Sequence, residues 1–157
     1  MFNLEPVDAG FFEDSPSRFV DTFDIGLPAS DVWAELVADG ALSFCRSLRG
    51  ARWTSARPFG VGTTRTMPAL FGALVVDETY FRWEEGRPQS FYVERANLPM
   101  FRRFAEDYLL DETSIRTSRL TWTLALDPTP LGRPGKPLNA LIVRGLFRDT
   151  RRHFPAA

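Results

Sequence analysis

Six consecutive β-like segments occupy most of the chain between residues 49 and 128, and they constrain the fold more than any other feature. They are rich in aromatic and β-branched residues, which favour strands. Glycine, proline, asparagine and aspartate separate them at hairpin spacing. In order they read GARWTSARPF, GTTRTM, LFGALVVDETYFRWEEG, SFYVERAN, FRRFAEDYLLDET and SIRTSRLTWTLALDP. Because the links are short, we predict that successive strands pair antiparallel in one sheet.

The segments on either side of this run complete the predicted fold. RFVDTFDIGL alternates in polarity and predicts a first strand, and LPASDVWAELVADG predicts a helix that follows it. A second short helix is predicted from the spacing of Ala41, Phe44, Cys45 and Leu48. The closing stretch PLGRPGKPLNALIVRGLFRDTRRHF predicts a loop and a long helix with one apolar face. We therefore predict an α+β fold in which a seven-stranded antiparallel sheet curls around a long C-terminal helix.

Length and composition favour one domain. The chain has 157 residues, of which 44% are hydrophobic and 25% charged, as in ordinary globular proteins. Residues 1–16 lack sustained periodicity, so we expect an irregular N-terminal leader followed by a single domain over residues 17–157. The N-terminus has no basic region of the kind found in secretory signals, so we expect a cytoplasmic protein.

Charge and cysteine content argue against several kinds of site. The net charge of −1 argues against a protein that acts mainly by neutralising nucleic-acid phosphates or by gripping anionic lipid. Cys45 and His153 are the only cysteine and histidine, so no disulfide and no Cys/His metal set can form within the chain, although a carboxylate-only metal site stays open. No apolar run approaches the length of a membrane span. We expect no cofactor, no nucleic-acid partner and no stable membrane insertion.

The stretch RPFGVGTTRTM, Arg57 to Met67, contains a Gly-Val-Gly that could be a phosphate loop or a tight turn. A dinucleotide-binding loop needs a third glycine and a helix that begins there, and the other common phosphate loop ends in Gly-Lys-Ser/Thr. Neither pattern is present, and the following residues are β-like. We therefore predict a hairpin turn whose glycines supply positive φ angles.

The motifs LPASDVWAEL, RPFGVGTTRTM and ETYFRWEEG, together with the closing amphipathic helix, resemble the START-like helix-grip superfamily (SRPBCC). The resemblance is to its polyketide cyclase/dehydrase and lipid-transport group, of actinobacterial type, and covers Ser17 to Phe154. It implies a deep, mainly apolar cavity between the sheet and the long helix that binds lipids, sterols, polyketides or other aromatic molecules. The group includes cyclases, transport proteins, sensors and co-chaperone modules, and it has no universal catalytic residue.

Arg65, Glu78 and Tyr80 lie in the matched motifs and are the candidates for chemistry. Neighbouring antiparallel strands bring residues on one face together, so an Arg65–Glu78 pair is expected. In a buried site, Arg65 and Glu78 would orient a ligand carbonyl or hydroxyl, with Glu78 as proton acceptor and Tyr80 as donor. The alternative is a structural ion pair that braces two strands or faces solvent.

Other residues on the predicted strands and the last helix are weaker candidates for ligand binding. On RLTWTLAL, the apolar positions Leu120, Trp122, Leu124 and Leu126 are expected to meet the long helix. The remaining candidates could line a pocket or fill a core. They are Trp83, Tyr92, Phe101, Phe104, Tyr108 and Leu141. Their faces depend on strand register, because a slip of one residue exchanges the two faces of a strand.

Three functions follow from these observations. The first is binding of a hydrophobic small molecule, such as a lipid or polyketide, for carriage or sensing. The second is a polyketide cyclase or dehydratase that uses the same cavity, and the third is a protein-interaction module whose core is filled. A cavity too small for a drug-sized ligand would favour the third function. The sequence leaves a homodimer open.

Overall fold

Eight β-strands form one antiparallel sheet in the computed structural model, which describes residues 1–157. The strands are β1 (Phe2–Asn3), β2 (Ser17–Ile25), β3 (Arg52–Trp53), β4 (Thr64–Ala69), β5 (Leu74–Trp83), β6 (Gln89–Ala96), β7 (Phe101–Ser114) and β8 (Thr117–Pro128). They follow the order β2-β8-β7-β6-β5-β4-β3, and β1 pairs with β6. The predicted α+β class and antiparallel pairing are confirmed, and the structure adds β1 as an eighth strand.

Three α-helices accompany the sheet: α1 (Phe11–Asp14), α2 (Ala29–Leu36) and α3 (Lys136–His153). The long C-terminal helix α3 buries Val143, Leu146 and Phe147. The Phe147 ring meets Trp122 of β8 edge to face, with 5.6 Å between the ring centroids. This contact places α3 on the face of the sheet that includes the apolar row of β8, as the sequence predicts. We call this the inner face.

The segment predicted as a second short helix forms consecutive turns instead. The N–H of Ser43 donates to the carbonyl of Gly40, and the N–H of Cys45 donates to that of Leu42, at 3.1 and 3.0 Å. Leu42 has a φ of 67°, which a regular α-helix does not allow. Ala41 and Cys45 are buried. The apolar spacing therefore identified buried positions of this segment but not its backbone geometry.

The Gly-Val-Gly stretch lies in the link between β3 and β4. Gly62 has a φ of 88°, a conformation that glycine adopts without strain. Its N–H donates to the carbonyl of Tyr80 at 2.8 Å, so the end of the link is already paired with β5. The residues that follow form β4 rather than a helix. A turn between two strands is therefore present instead of a phosphate loop, but it belongs to a long link over residues 54–63, and Gly60 does not share the positive φ of Gly62.

The N-terminal leader contains β1 and α1 and lies against the sheet. Phe2 pairs with Ala96 of β6. Phe11 of α1 is only 4% exposed and packs with Ala105 and Ala125. These alanines alternate with the inward residues of β7 and β8, so they belong to the other face of the sheet, which we call the outer face. The leader thus covers part of the outer face, opposite α3.

None of the three helices combines the length and apolar content that a bilayer crossing requires. No group of three or more His, Cys, Asp or Glu side chains is arranged to hold a metal ion.

Candidate functional site

A cavity of about 150 Å³ lies between α3 and the inner face of the sheet. Of the 24 residues that line it, 18 are hydrophobic. Its apolar walls include Met67, Val76, Leu124, Leu126, Val143 and Leu146. The apolar row predicted on β8 therefore forms part of the cavity wall. Such walls favour apolar ligands, because burial removes apolar surface from water.

The cavity reaches the surface between the link that joins β6 to β7 and the first turn of α3. Leu98 of that link and Leu138 of α3 both line the cavity, although they are 37% and 56% exposed. No residue of α3 before Val143 is buried. An apolar ligand longer than the cavity could therefore extend past Leu98 and Leu138 toward solvent.

Arg65 and Glu78 form a buried ion pair in the cavity wall. They lie directly opposite each other on β4 and β5. The Nε–H of Arg65 donates to Oε2 of Glu78, and the two side chains are 1% and 3% exposed. The predicted contact is present, and it is buried rather than facing solvent. Burial opposes the charge of Arg65, but Glu78, Tyr80 and Tyr108 together outweigh this and hold the pKa of the guanidinium well above its ordinary value.

The Arg65 guanidinium is surrounded by aromatic rings. Its Cζ lies 4.4 Å from the ring centroid of Phe91, 5.4 Å from Tyr80 and 5.5 Å from Trp53. Such stacking favours a planar cation. Its Nη1 and Nη2 atoms are buried and have no hydrogen-bond partner in the protein. The ion pair with Glu78 therefore leaves most of the donors of Arg65 unused.

Glu106 of β7 is the third charged residue of the cavity wall, and the sequence analysis missed it. Its Oε2 accepts hydrogen bonds from the indole N–H of Trp122 at 2.8 Å and from the hydroxyl of Tyr108 at 3.1 Å. Burial, and after it the negative charge of Glu78, raise the pKa of Glu106 to about 8. Glu106 is therefore a neutral carboxylic acid at neutral pH.

A signal for Glu106 exists in the sequence. In FRRFAEDYLL, it occupies the same alternating row as Phe104, Tyr108 and Leu110. An acid within an otherwise apolar or aromatic row of a strand is a candidate for a buried functional group. Only the position of α3 shows that this row faces inward.

Four other predicted residues lie on the inner face. Phe101 and Phe104 line the cavity. Tyr108 lies outside the cavity wall and contributes through its hydrogen bond to Glu106. Tyr80 is 1% exposed, its hydroxyl has no partner in the protein, and burial raises the pKa of its phenol well above the ordinary value. Tyr80 is not among the residues that line the cavity, so its predicted role as a proton donor lacks support.

Three predicted ligand-binding residues lie elsewhere. Tyr92 is opposite Ala105 in the register and packs with the outer-face cluster, because strand alternation turns it away from Phe91. Leu141 is 65% exposed, because the buried stripe of α3 runs through other helical positions. Trp83 packs on Trp33 with 5.5 Å between ring centroids and does not line the cavity.

His153 and Cys45 also lie outside the cavity wall. The Nε2 atom of His153 is 2.6 Å from Oε2 of Glu35, and its ring stacks on Phe44 with centroids 4.0 Å apart. Cys45 is fully buried, and burial raises the pKa of its thiol to about 12. The thiol therefore stays protonated and is a poor nucleophile.

Comparison with known proteins agrees with this architecture. The family described as polyketide cyclase / dehydrase and lipid transport matches residues 16–156. An uncharacterized protein of Mycobacterium tuberculosis is 31% identical over 162 residues, which cover 99% of this chain and 95% of the relative. A START superfamily protein from Mycobacterium smegmatis aligns with a TM-score of 0.70 at 11% identity, over 87% of this chain and 96% of the other.

A plant protein shares the fold as well. Ginseng major latex-like protein 151 from Panax ginseng aligns with a TM-score of 0.63 at 12% identity, over 88% of this chain and 97% of the other. At such low identity, the two solved structures show the START-like fold alone.

Proposed function

This chain belongs to the polyketide cyclase/dehydrase and lipid-transport family, and from that premise we propose that it binds a hydrophobic small molecule in the cavity beneath α3. The observation that supports the proposal is the cavity lining, which is apolar at 18 of 24 residues. Each Å² of apolar ligand surface removed from water contributes about 25 cal/mol. The few polar groups of the wall would set the orientation of the ligand.

The volume of the cavity limits the size of the ligand. At about 150 Å³ it is smaller than the roughly 300–1,000 Å³ of typical small-molecule pockets. An engineered apolar cavity of roughly this volume binds benzene. The enclosed part of the ligand should therefore be about the size of benzene. A longer ligand would leave its remainder at the opening between Leu98 and Leu138.

The small volume favours the interaction-module alternative, which assumes a filled core, by the criterion of cavity size stated above. The unpartnered Nη atoms of Arg65 argue against that alternative, because buried polar groups that serve only packing are normally hydrogen-bonded. A ligand that supplies acceptors would account for these atoms, because Arg65 lines the cavity.

Filling the cavity from α3 tests the binding proposal. Val143 is 4% exposed and lines the cavity, so Val143→Trp should occupy the space that a ligand needs. We expect calorimetric titration with heptane to show binding to the wild type and at least tenfold weaker binding to Val143→Trp. The matched control is Leu141→Trp, which adds a similar side chain at an exposed position of the same helix and should bind like the wild type. If the wild type does not bind heptane, the proposal is wrong.

One observation favours the enzyme alternative, a cyclase or dehydratase that acts on a polyketide-like substrate. Glu106 is protonated at neutral pH at the edge of an apolar cavity, and such an acid can give a proton to a bound carbonyl. Glu78, the residue that the sequence suggested as proton acceptor, is held by Arg65 instead. In this alternative Glu106 replaces Glu78 as the acid/base group, and formation of a new product from a polyketide-like substrate would distinguish enzyme from carrier.

A further inference from the structure

Arg65 lines the cavity, and most of its donors have no acceptor in the protein. Arginine has five N–H donors, and Glu78 is hydrogen-bonded only to Nε. Nη1 and Nη2 have no partner although the side chain is 1% exposed. A buried guanidinium is stabilised when these donors meet an oxygen. The cavity wall therefore contains a recognition group for an oxygen atom.

Glu106 supplies a second donor to the same cavity. Its Oε2 already accepts from both Trp122 and Tyr108, so the proton of the neutral acid is best placed on Oε1. Oε1 makes no hydrogen bond within the protein. The residue is 7% exposed and lines the cavity together with Arg65. Donors from two strands, β4 and β7, therefore belong to the wall of one cavity.

The charges around the cavity determine which kind of ligand oxygen, charged or neutral, can bind there. The positive Arg65 and the negative Glu78 cancel each other, and Glu106 is neutral below a pKa of about 8. A ligand carboxylate would add an uncompensated negative charge beside two acidic side chains in an apolar cavity, which is unfavourable. A carbonyl oxygen accepts the same hydrogen bonds without adding charge.

We propose that Arg65 and Glu106 together bind the neutral carbonyl oxygen of an aliphatic ligand, such as an ester or a ketone, and discriminate against a carboxylate. The inference rests on the proposed function, because it requires a ligand in the cavity. The carbonyl lies at the charged end, and the apolar tail points toward the opening between Leu98 and Leu138. Glu78 holds Arg65 in place and does not touch the ligand oxygen.

Three small probes of similar size test the inference on the wild-type protein. Methyl hexanoate and heptanoate have the same heavy-atom composition and differ in charge, and heptane lacks the oxygens. At neutral pH we expect calorimetric titration to show methyl hexanoate binding about tenfold or more tightly than heptanoate. Equal or tighter binding of heptanoate overturns the inference while the binding function stands. If heptane and the ester both fail to bind, the proposed function fails, and the inference fails with it.

A double variant tests the part played by Arg65. Arg65→Met combined with Glu78→Met removes both charges together, so neither is left buried without its partner. We expect methyl hexanoate to lose about tenfold in affinity, while heptane stays within about threefold of the wild type. The control is the double change Arg82→Met and Glu84→Met, which removes an exposed ion pair and should alter neither affinity. An equal loss of affinity for both ligands, or no loss of affinity for either, contradicts the assignment of Arg65 as the group that binds the carbonyl oxygen.

The pH dependence of binding tests the part played by Glu106. The ionisable groups around it are Arg65, Glu78, Tyr80, Tyr108 and Cys45. Burial raises the pKa of the Cys45 thiol to about 12 and the pKa values of the two phenols well above their ordinary value, so these three groups keep their protons near pH 8. We expect the affinity for methyl hexanoate to fall as the pH rises through about 8.

Glu106→Gln is the matched variant, because its amide is a neutral donor of the same shape. It should bind methyl hexanoate within about threefold of the wild type at neutral pH, and its affinity should not depend on pH in this range. A wild-type affinity that does not change through about pH 8, or the same fall in Glu106→Gln, shows that Glu106 is not the donor. This arm of the test does not depend on the folding of the Arg65 variant.

Discussion

At the scale of single residues, Glu106 shows how position changes the chemistry of a side chain. Glu112 lies on the same strand and is exposed. Glu106 is buried and lies near the negative charge of Glu78, and these two effects raise its pKa to about 8. The two hydrogen bonds that it accepts favour the ionised form but are outweighed. The two glutamates on one strand therefore differ in their surroundings, because only Glu106 is taken out of water.

We predict that Glu106 makes the stability of the protein depend on pH. The folded protein keeps this proton up to a pKa of about 8, whereas the unfolded chain releases it near the ordinary value of 4.5. Between these values the folded state binds more protons, so the free energy of unfolding falls as the pH rises. The contribution of one such group is at most about 1.4 kcal/mol per pH unit.

Urea denaturation of the wild type and Glu106→Gln across this pH range measures the effect. The variant should lose less stability than the wild type as the pH rises, because glutamine does not titrate. Burial also raises the pKa values of Glu78 and Asp107, so some dependence on pH should persist in the variant. The control variant Glu112→Gln should lose as much stability as the wild type over the same pH range. Parallel curves for wild type and Glu106→Gln would show that Glu106 titrates alike in both states.

At the scale of elements, the second half of α3 holds the turn segment 41–48 in place. Asp149 is 7% exposed, and its Oδ2 accepts the backbone N–H of Arg46 at 2.9 Å. The thiol of Cys45 donates weakly to the carbonyl of Leu146 at 3.8 Å. The turn segment lacks regular helical hydrogen bonds, so these contacts with α3 help to determine its position. They also fix Leu42 and Leu48, which line the cavity.

We predict that Asp149→Ala lowers the free energy of unfolding by about 1–3 kcal/mol, because it leaves the backbone N–H of Arg46 without its acceptor. Asp149→Asn should lose less stability, since its amide oxygen can still accept the hydrogen bond from the backbone N–H of Arg46. Chemical denaturation measures both, with Asp111→Ala at an exposed position of β7 as the control. Equal stability of Asp149→Ala and the wild type would show that this contact contributes little.

At the scale of the whole molecule, the sheet is covered on its two faces by different parts of the chain. The long helix α3 covers the inner face and encloses the cavity, and the leader covers part of the outer face through Phe11. We propose that residues 17–157 form a domain that folds without the leader. The family match over residues 16–156 supports this proposal.

We predict that a chain lacking residues 1–16 folds and binds heptane like the full-length protein, because no residue of the leader lines the cavity, although Leu4 belongs to the main core. It should be less stable by a few kcal/mol, since burial of a phenylalanine alone contributes about 1.5–3 kcal/mol. Thermal and urea denaturation of the truncated chain measure the loss. Phe11→Ala should reproduce much of it, and Phe2→Ala, at a side chain that is 50% exposed, should not. A truncated chain that does not fold would show that the leader is part of the domain.

Local pattern in the sequence determined most of the elements and their neighbours, although it predicted a helix where the segment 41–48 forms turns and it did not predict β1. Alternation and short links predicted the antiparallel sheet, and an apolar stripe predicted the long helix. The Arg65–Glu78 contact followed from two strands joined by a short link. The motifs also identified the START-like superfamily. These properties depend on residues that are close in sequence, so they can be read without the fold.

The tertiary structure decided which faces those elements present. Alternation shows that Tyr92 and Phe91 lie on opposite faces, but only the position of α3 shows which of the two faces inward. The pKa of Glu106 likewise depends on Glu78 and Trp122, which are distant in sequence. Burial and charge are set by atoms that folding brings together, and for this reason the cavity and its acid could not be read from local pattern.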